Sequence, residues 1–255
     1  MNTASIKRFV FRRGDRRERE DELQQWRSIA RKVRLFAAWR YIRGSGIEIG
    51  ALNVPLPTFH GALVRYVDRV STQELSGIYA ELAGRELVTV DMVADGEKLD
   101  PIANESCDFV IANHMIEHAR NPIEAIENML RVLKPDGILY CAIPDKRFTF
   151  DAERPITPFD HLRRDYEEGP EWSDRDHYLE WTTKVEKIAD PKAIEKRASQ
   201  LRARRANIHF HVWTQREIIE LFFRLRAEFG FPLEIETATK NSQELVVVLR
   251  KADLG

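Results

Sequence analysis

The sequence predicts an α/β protein: a largely parallel sheet of seven strands covered by helices, with the last strand antiparallel. Two patterns carry this reading. From Ser45 to Asp145 short β-rich runs alternate with helical segments, the mark of βαβ units. Near the carboxyl end two β-rich runs follow a helix almost back to back, which makes a hairpin and turns the final strand around. With 255 residues, 43% of them hydrophobic, the chain is long enough to bury a substantial core.

The elements follow in order. Residues 1–43 form a basic arm: eleven arginines, Lys7 and Lys32 against five acids give it about +8, so a whole-chain charge of −1 leaves about −9 elsewhere. Within the arm, Leu23, Trp26, Ile29, Ala30, Val33, Leu35, Phe36 and Ala37 fall near helical spacing over Asp21–Tyr41. That reads as an amphipathic helix packed on the main domain, residues 44–255. Strands are expected at 46–50 (GIEIG), 64–70 (VRYVDRV), 86–93 (ELVTVDMV), 107–114 (CDFVIANH) and 137–145 (GILYCAIPD). A helix over 122–133 precedes the fifth strand, closed by the turn Lys134-Pro135-Asp136-Gly137. Residues 146–213, dense in charge, aromatics and histidine, read as an ordered, partly helical insertion covering one end of the sheet. A helix over 214–230 then opens on a capping box, Thr214 with Glu217, and closes on Gly230. The terminal hairpin turns around Lys240-Asn241-Ser242.

Several classes are excluded. No stretch approaches twenty uncharged apolar residues, so no membrane span is expected. The amino terminus lacks the apolar core of a signal peptide. Cys107 and Cys141 sit inside apolar runs and read as buried thiols of a reducing compartment, so a cytoplasmic protein is expected. No nucleic-acid module follows the basic arm, which makes nucleic acid an unlikely partner.

In an open parallel sheet, ligands bind beyond the carboxyl ends of the strands. The residues there are Glu48-Ile49-Gly50-Ala51-Leu52-Asn53 after the first strand, Asp68 after the second, Asp95-Gly96-Glu97 after the third, Asn113-His114 after the fourth and Pro144-Asp145 after the fifth. EIG at 48–50, DGEKL at 95–99, CDFV at 107–110, EH at 117–118 and RVLKPDG at 131–137 occur in the order of a known set of motifs. Through them the chain resembles the class I S-adenosylmethionine-dependent methyltransferases, nearest to the small-molecule, type 11-like branch. The resemblance covers about residues 45–145 and the end from 210. It implies a Rossmann-like sheet and S-adenosyl-L-methionine as cofactor. It also implies that Gly50 admits the methionine half of the cofactor, Asp68 takes the ribose hydroxyls, and Asp95 with the amides of Gly96 and Glu97 takes the adenine. Glu48 and Asn113 would hold the aminocarboxypropyl end. The family's G-x-G-x-G loop is reduced here to Gly50, and Asn53 is expected to take a left-handed position in place of a glycine. Pro55 and Pro57 leave little room for a first helix.

Methyl transfer to a hydroxyl needs an aligned nucleophile and a base. His118 and Asp145 are the expected bases, with His114 third and Glu117 beside them on the substrate side. The insertion adds His161, His177, His209 and His211 as substrate-binding candidates. If 208–213 is extended, His209 and His211 share a face, where they could hold sugar hydroxyls or a divalent metal; substrate is the reading preferred, and no metal is assigned. The resulting expectation is an O-methyltransferase acting on a sugar or glycosylated small molecule, as in polysaccharide biosynthesis, with 146–213 as a substrate lid. The alternatives are an N- or C-methyltransferase on another small molecule, or a scaffold protein that keeps the fold without turnover.

Overall fold

A computed structural model describes residues 16–78 and 84–252. Seven strands form one sheet: β1 (Ser45–Ile49), β2 (Leu63–Asp68), β3 (Met92–Val93), β4 (Cys107–Asn113), β5 (Leu133–Pro144), β6 (Leu233–Asn241) and β7 (Glu244–Lys251). Their order is β3-β2-β1-β4-β5-β7-β6. The first five pair in parallel, and β7 runs antiparallel to both β5 and β6. This is the expected α/β arrangement, with the chain reversal in the last strand.

β4 shows why the centre of the sheet reads as an unbroken apolar run. Phe109 and Ile111 face one layer, while Val110 and Ala112 face the other, and all four are fully buried. On the first side, Ala37, Ala38 and Ile42 bring the end of α1 (Arg16–Tyr41) against Phe109, Ile111, Tyr140 and Val246. On the second, α3 (Pro122–Val132) and α7 (Gln215–Phe229) cover Val110, Leu139, Cys141 and Val247. Ile123, Ile126 and Met129 of α3 are completely buried, a contribution of about 1.5–3 kcal/mol each. Both helices start as the sequence predicts. The Asn121 side chain accepts from Glu124 N–H ahead of Pro122, and Thr214 and Glu217 form a capping box. Gly230 closes α7 at φ 66°, a left-handed position suited to a residue without Cβ.

The inserted segment leaves and re-enters the sheet at one place. Asp145 and Trp213 form a parallel bridge, and Lys146 N–H donates to the Trp213 carbonyl at 2.8 Å. Between them lie α4 (Phe159–Glu168), whose Phe159 and Leu162 join the main core, and then α5 (Asp174–Lys184) and α6 (Pro191–Ala203), around a small core of Tyr178, Ala198, Leu201, Ile208 and Phe210.

Four expectations change in detail. The strand expected over 86–93 pairs only at Met92–Val93. Upstream, Val88 N–H bonds the Leu52 carbonyl and Val90 N–H the Thr72 hydroxyl, so an extended, β-branched stretch is held by a loop and by α2 (Thr72–Ile78) and not by a ladder. The Lys134–Gly137 turn lies inside β5 as a wide bulge, where the register jumps from Cys107 opposite Leu133 to Phe109 opposite Ile138. α1 begins five residues before Asp21, and Phe36 points outward at 63% exposure, off the apolar stripe. Residues 1–15 of the basic arm lie outside the described residues. No helix among the described residues is long and apolar enough to cross a membrane.

Candidate functional site at the carboxyl ends of the strands

Along the strand ends the expected cofactor residues fall in one row. Gly50, at φ 67°, donates its N–H to the Val67 carbonyl at 2.9 Å, and a Cβ built there would meet nothing within 4 Å. Open space therefore lies beyond β1. Glu48 is 1% exposed, and both carboxylate oxygens accept from Leu56 N–H, at 2.9 and 3.1 Å. Burial pushes its carboxyl up to about 7. It thus organises the loop after β1. Asn113 reaches it at 3.5 Å through Nδ2, and the buried Oδ1 of Asn113 has no hydrogen-bond partner. Asp68, raised by burial, accepts from Arg69 N–H at 2.8 Å within its own turn.

The left-handed position expected of Asn53 falls instead on Leu52, at φ 51°; Val54 N–H closes that turn on the Ala51 carbonyl. As the two prolines predict, no helix forms between β1 and β2. Asp95 Oδ1 accepts from Glu97 N–H at 2.9 Å. Gly96 is needed for packing, since a Cβ would lie 2.9 Å from Ile49 Cγ2 and 3.0 Å from Met115 Cε. The Glu97 carboxylate turns away to accept from Arg120 and Asn121 N–H, both at 3.0 Å, and so fixes the start of α3.

The three candidate bases differ sharply. His114 (φ 50°) stands between two carboxylates, with Nδ1 3.4 Å from Glu117 Oε1 and Nε2 2.7 Å from Glu244 Oε2. Those anions outweigh its desolvation and lift it to about 9, so it is an imidazolium at neutral pH and a clamp. Asp145 is 2% exposed and caps two elements. It accepts from the Arg147 backbone and guanidinium and from Gln215 N–H, contacts that outweigh burial and hold it below the usual carboxylate range. His118 is different. Its Nδ1 lies 2.9 Å from the Ile208 carbonyl, which only accepts, so the proton sits on Nδ1 and the lone pair on Nε2. Burial lowers its pKa and keeps it neutral. Beside it, Glu117 is fully buried, is lowered by His114 and the neighbouring imidazoles in spite of desolvation, and has no hydrogen bond to either carboxylate oxygen. Potential ligand atoms of Glu117, His118 and His209 lie within 4.8 Å of one another.

His209 and His211 part company. His209, 5% exposed, bonds Asp151 Oδ2 at 2.7 Å and meets His118 edge-on; His211, fully buried, joins His161, His177 and Asp165. Direct sugar contact by His211 is closed off by this burial. Asp160 of α4 takes part in neither cluster; it is 86% exposed, 3.7 Å from Arg224.

Sequence reasoning missed the groups that hold these clusters. Arg154, 2% exposed, binds Asp151 at 2.9 Å, Glu180 at 2.6 Å and the His209 carbonyl at 2.8 Å. Glu244 joins His114 to Arg34 of α1 and to Asn241 Nδ2 at 2.7 Å. The one available signal was a carboxylate against an apolar run, Glu244 before LVVVL; Arg154, within DAERPIT, carries no such signal.

The row fits S-adenosylmethionine: open space at Gly50, a carboxylate at the end of β2, and a buried, orphaned amide oxygen on Asn113 at the end of β4. Comparison with known proteins agrees. Residues 58–141 match a family model described as a methyltransferase domain. An uncharacterized protein of Methanocaldococcus jannaschii is 30% identical over 130 residues, 49% of this chain; the chain spans 59% of that relative's length. A chain from the complex between the Haloferax volcanii Trm112 methyltransferase activator and a methyltransferase superposes with a TM-score of 0.50 at 13% identity, covering 93% of this chain and 94% of that one. A Rhodobacter sphaeroides structure described as a zinc-dependent alcohol dehydrogenase gives 0.51 at 14%, covering 87% and 88%. At such identities the two structures speak to the fold alone. Strand order, strand-end residues and the family match converge: residues 58–141 are similar to a methyltransferase domain, and they lie within a Rossmann-like α/β sheet.

Proposed function

We propose that this chain is an S-adenosylmethionine-dependent methyltransferase that methylates a hydroxyl of a sugar or glycosylated small molecule, with His118 as the base. The observation that carries the reading is the fixed tautomer of His118. Gly50, Asp68, Asp95 and Asn113 would hold the cofactor, which supplies an electrophilic methyl group when bound. His118 takes the acceptor's proton at Nε2. The Glu117 anion beside it stabilises the imidazolium that forms, and the Ile208 carbonyl keeps the ring from turning. A base so placed is worth about 10²–10⁴-fold in rate. Of the three expected bases His118 is preferred, because His114 is already protonated and Asp145 is engaged by Arg147.

The sugar assignment rests on the inserted segment, which serves in this proposal as the acceptor lid. Half-buried Phe150 and Trp181 meet edge-to-face at 5.6 Å beside His209, an apolar wall next to polar groups such as a sugar ring uses. Polysaccharide biosynthesis in the cytoplasm is the setting proposed, in keeping with two free, buried thiols. The test is transfer of labelled methyl from the cofactor to panels of sugar hydroxyls and of amines. Hydroxyl transfer that falls at least tenfold in His118→Gln supports the proposal; amine transfer indifferent to that change refutes it.

A scaffold without turnover is the second reading, favoured by the missing helix between β1 and β2. It predicts no methyl transfer to any acceptor.

A further inference from the structure

We propose that His161, Asp165, His177 and His211 form a closed binding site for one divalent ion of the zinc class, which fastens the inserted segment to the sheet. The inference stands apart from the methyl-transfer reading. Potential ligand atoms of the four side chains all lie within 4.8 Å of one another. His161 Nε2 is 3.2 Å from His177 Nε2 and 3.3 Å from Asp165 Oδ2, and His211 Nε2 is 3.6 Å from the same oxygen. Zinc binds imidazole and carboxylate at about 2.0–2.2 Å, and the edge of a tetrahedron is about 1.6 times its centre-to-corner length. Ligand atoms around such an ion therefore stand about 3.2–3.6 Å apart. The three separations match that spacing.

Hydrogen bonding alone serves the cluster poorly. Asp165 Oδ2 is fully buried without a hydrogen bond, and so is His211 Nδ1. The long 3.3 Å contact of His211 Nε2 to the Arg120 carbonyl relieves neither, and a bound ion would replace it at Nε2. An ion at the centre would give Asp165 Oδ2 its partner. Three imidazoles with one carboxylate suit zinc among the abundant divalent ions, and four protein ligands leave no open position, as in structural sites.

The ligands' origins define what the ion does. His161 and Asp165 sit one turn apart on α4, His177 lies on α5, and His211 belongs to the returning segment. That segment is bonded to the core: Phe210 N–H donates to the Glu117 carbonyl at 2.8 Å. One ion would thus tie two helices of the insertion to the backbone of the Glu117–His118 pair. Around the site, Ser173 Oγ donates to Asp165 Oδ1 at 3.2 Å and orients the carboxylate.

The test uses the full chain purified without a polyhistidine tag. Elemental mass spectrometry should find about one zinc per chain, and chelation should lower the melting temperature reversibly. Cobalt(II) added to the stripped protein should give the intense visible bands of tetrahedral coordination. His161→Gln, at a half-buried ligand on α4, should keep the fold yet lose the ion and the cobalt bands. His60→Gln, at an exposed imidazole elsewhere, should lose neither. A chain isolated metal-free that neither binds added zinc stoichiometrically nor gains stability from it overturns the proposal. Equal metal content in His161→Gln and the native chain also overturns it, by assigning the ion to other residues such as Glu117, His118 and His209.

Discussion

Glu244→Gln removes the charge at the point where α1, β7 and the loop after β4 meet. In the native chain the carboxylate accepts a bidentate pair from Arg34, an imidazolium from His114 and an amide from Asn241. The glutamine keeps the shape but leaves Arg34 and His114 facing a neutral amide. Hydrogen bonds to charged groups contribute about 1.5–3 kcal/mol each, and Arg34 is a quarter exposed, so the loss of that pair should cost about 2 kcal/mol. For a chain of this length that lowers the melting temperature by about 4–8 °C. The pH dependence carries the signature. Glu244 titrates near 2 when folded, below its ordinary 4.5, so its stabilisation is complete above the ordinary value and fades as pH falls towards 2. His114 titrates near 9, above its ordinary 6.5, so its stabilisation is complete below 6.5 and fades as pH rises through 9. The gap between native and variant protein, followed by urea unfolding, should be widest between about pH 5 and 6.5 and narrow towards pH 9.5. A gap that stays flat across that range, or below about 0.5 kcal/mol throughout, would refute the clamp.

Asp68→Ala should weaken S-adenosylmethionine binding by about 1.5–3 kcal/mol by calorimetry while the melting temperature holds; unchanged affinity would remove the ribose assignment. His118→Gln should cut turnover by about 10²–10⁴-fold with cofactor affinity within a few fold, and a loss under tenfold would point to alignment alone. Arg154→Met should destabilise the chain by about 3–5 kcal/mol, since it strands the buried Asp151 beside His209; unfolding curves that overlay those of the native protein would deny that hub its role.

What the sequence made legible was local. Strand-end punctuation, the capping box at Thr214 and the closing Gly230 each follow from one short window, and each stands where expected. The third strand was overread because β-branched residues in Glu86–Val93 describe an extended backbone, while pairing depends on how far β2 continues beside it. Asn53 was a reasonable left-handed residue, yet the turn placed that burden on Leu52 one residue earlier, because the hydrogen bond closing it runs from Val54 to Ala51. The site was legible as a row of residue types and illegible as protonation states. His114 and His118 look alike in a string of letters. Only partners 90 and 130 residues away, Ile208 and Glu244, make one a neutral imidazole and the other a fixed cation. The same distance hid the division of His209 from His211: extended geometry puts alternate side chains on one face, but Asp151 and Asp165 draw them into separate clusters.

Calorimetric titration of the full chain with S-adenosylmethionine and S-adenosylhomocysteine tests the central claim most directly. The row from Gly50 through Asp68 and Asp95 to Asn113 predicts saturable binding of both at one site per chain, with micromolar dissociation constants of the order of −8 kcal/mol, lost in large part in Asp68→Ala. No heat and no thermal stabilisation from either compound at millimolar concentration, in a chain that is folded, would contradict it.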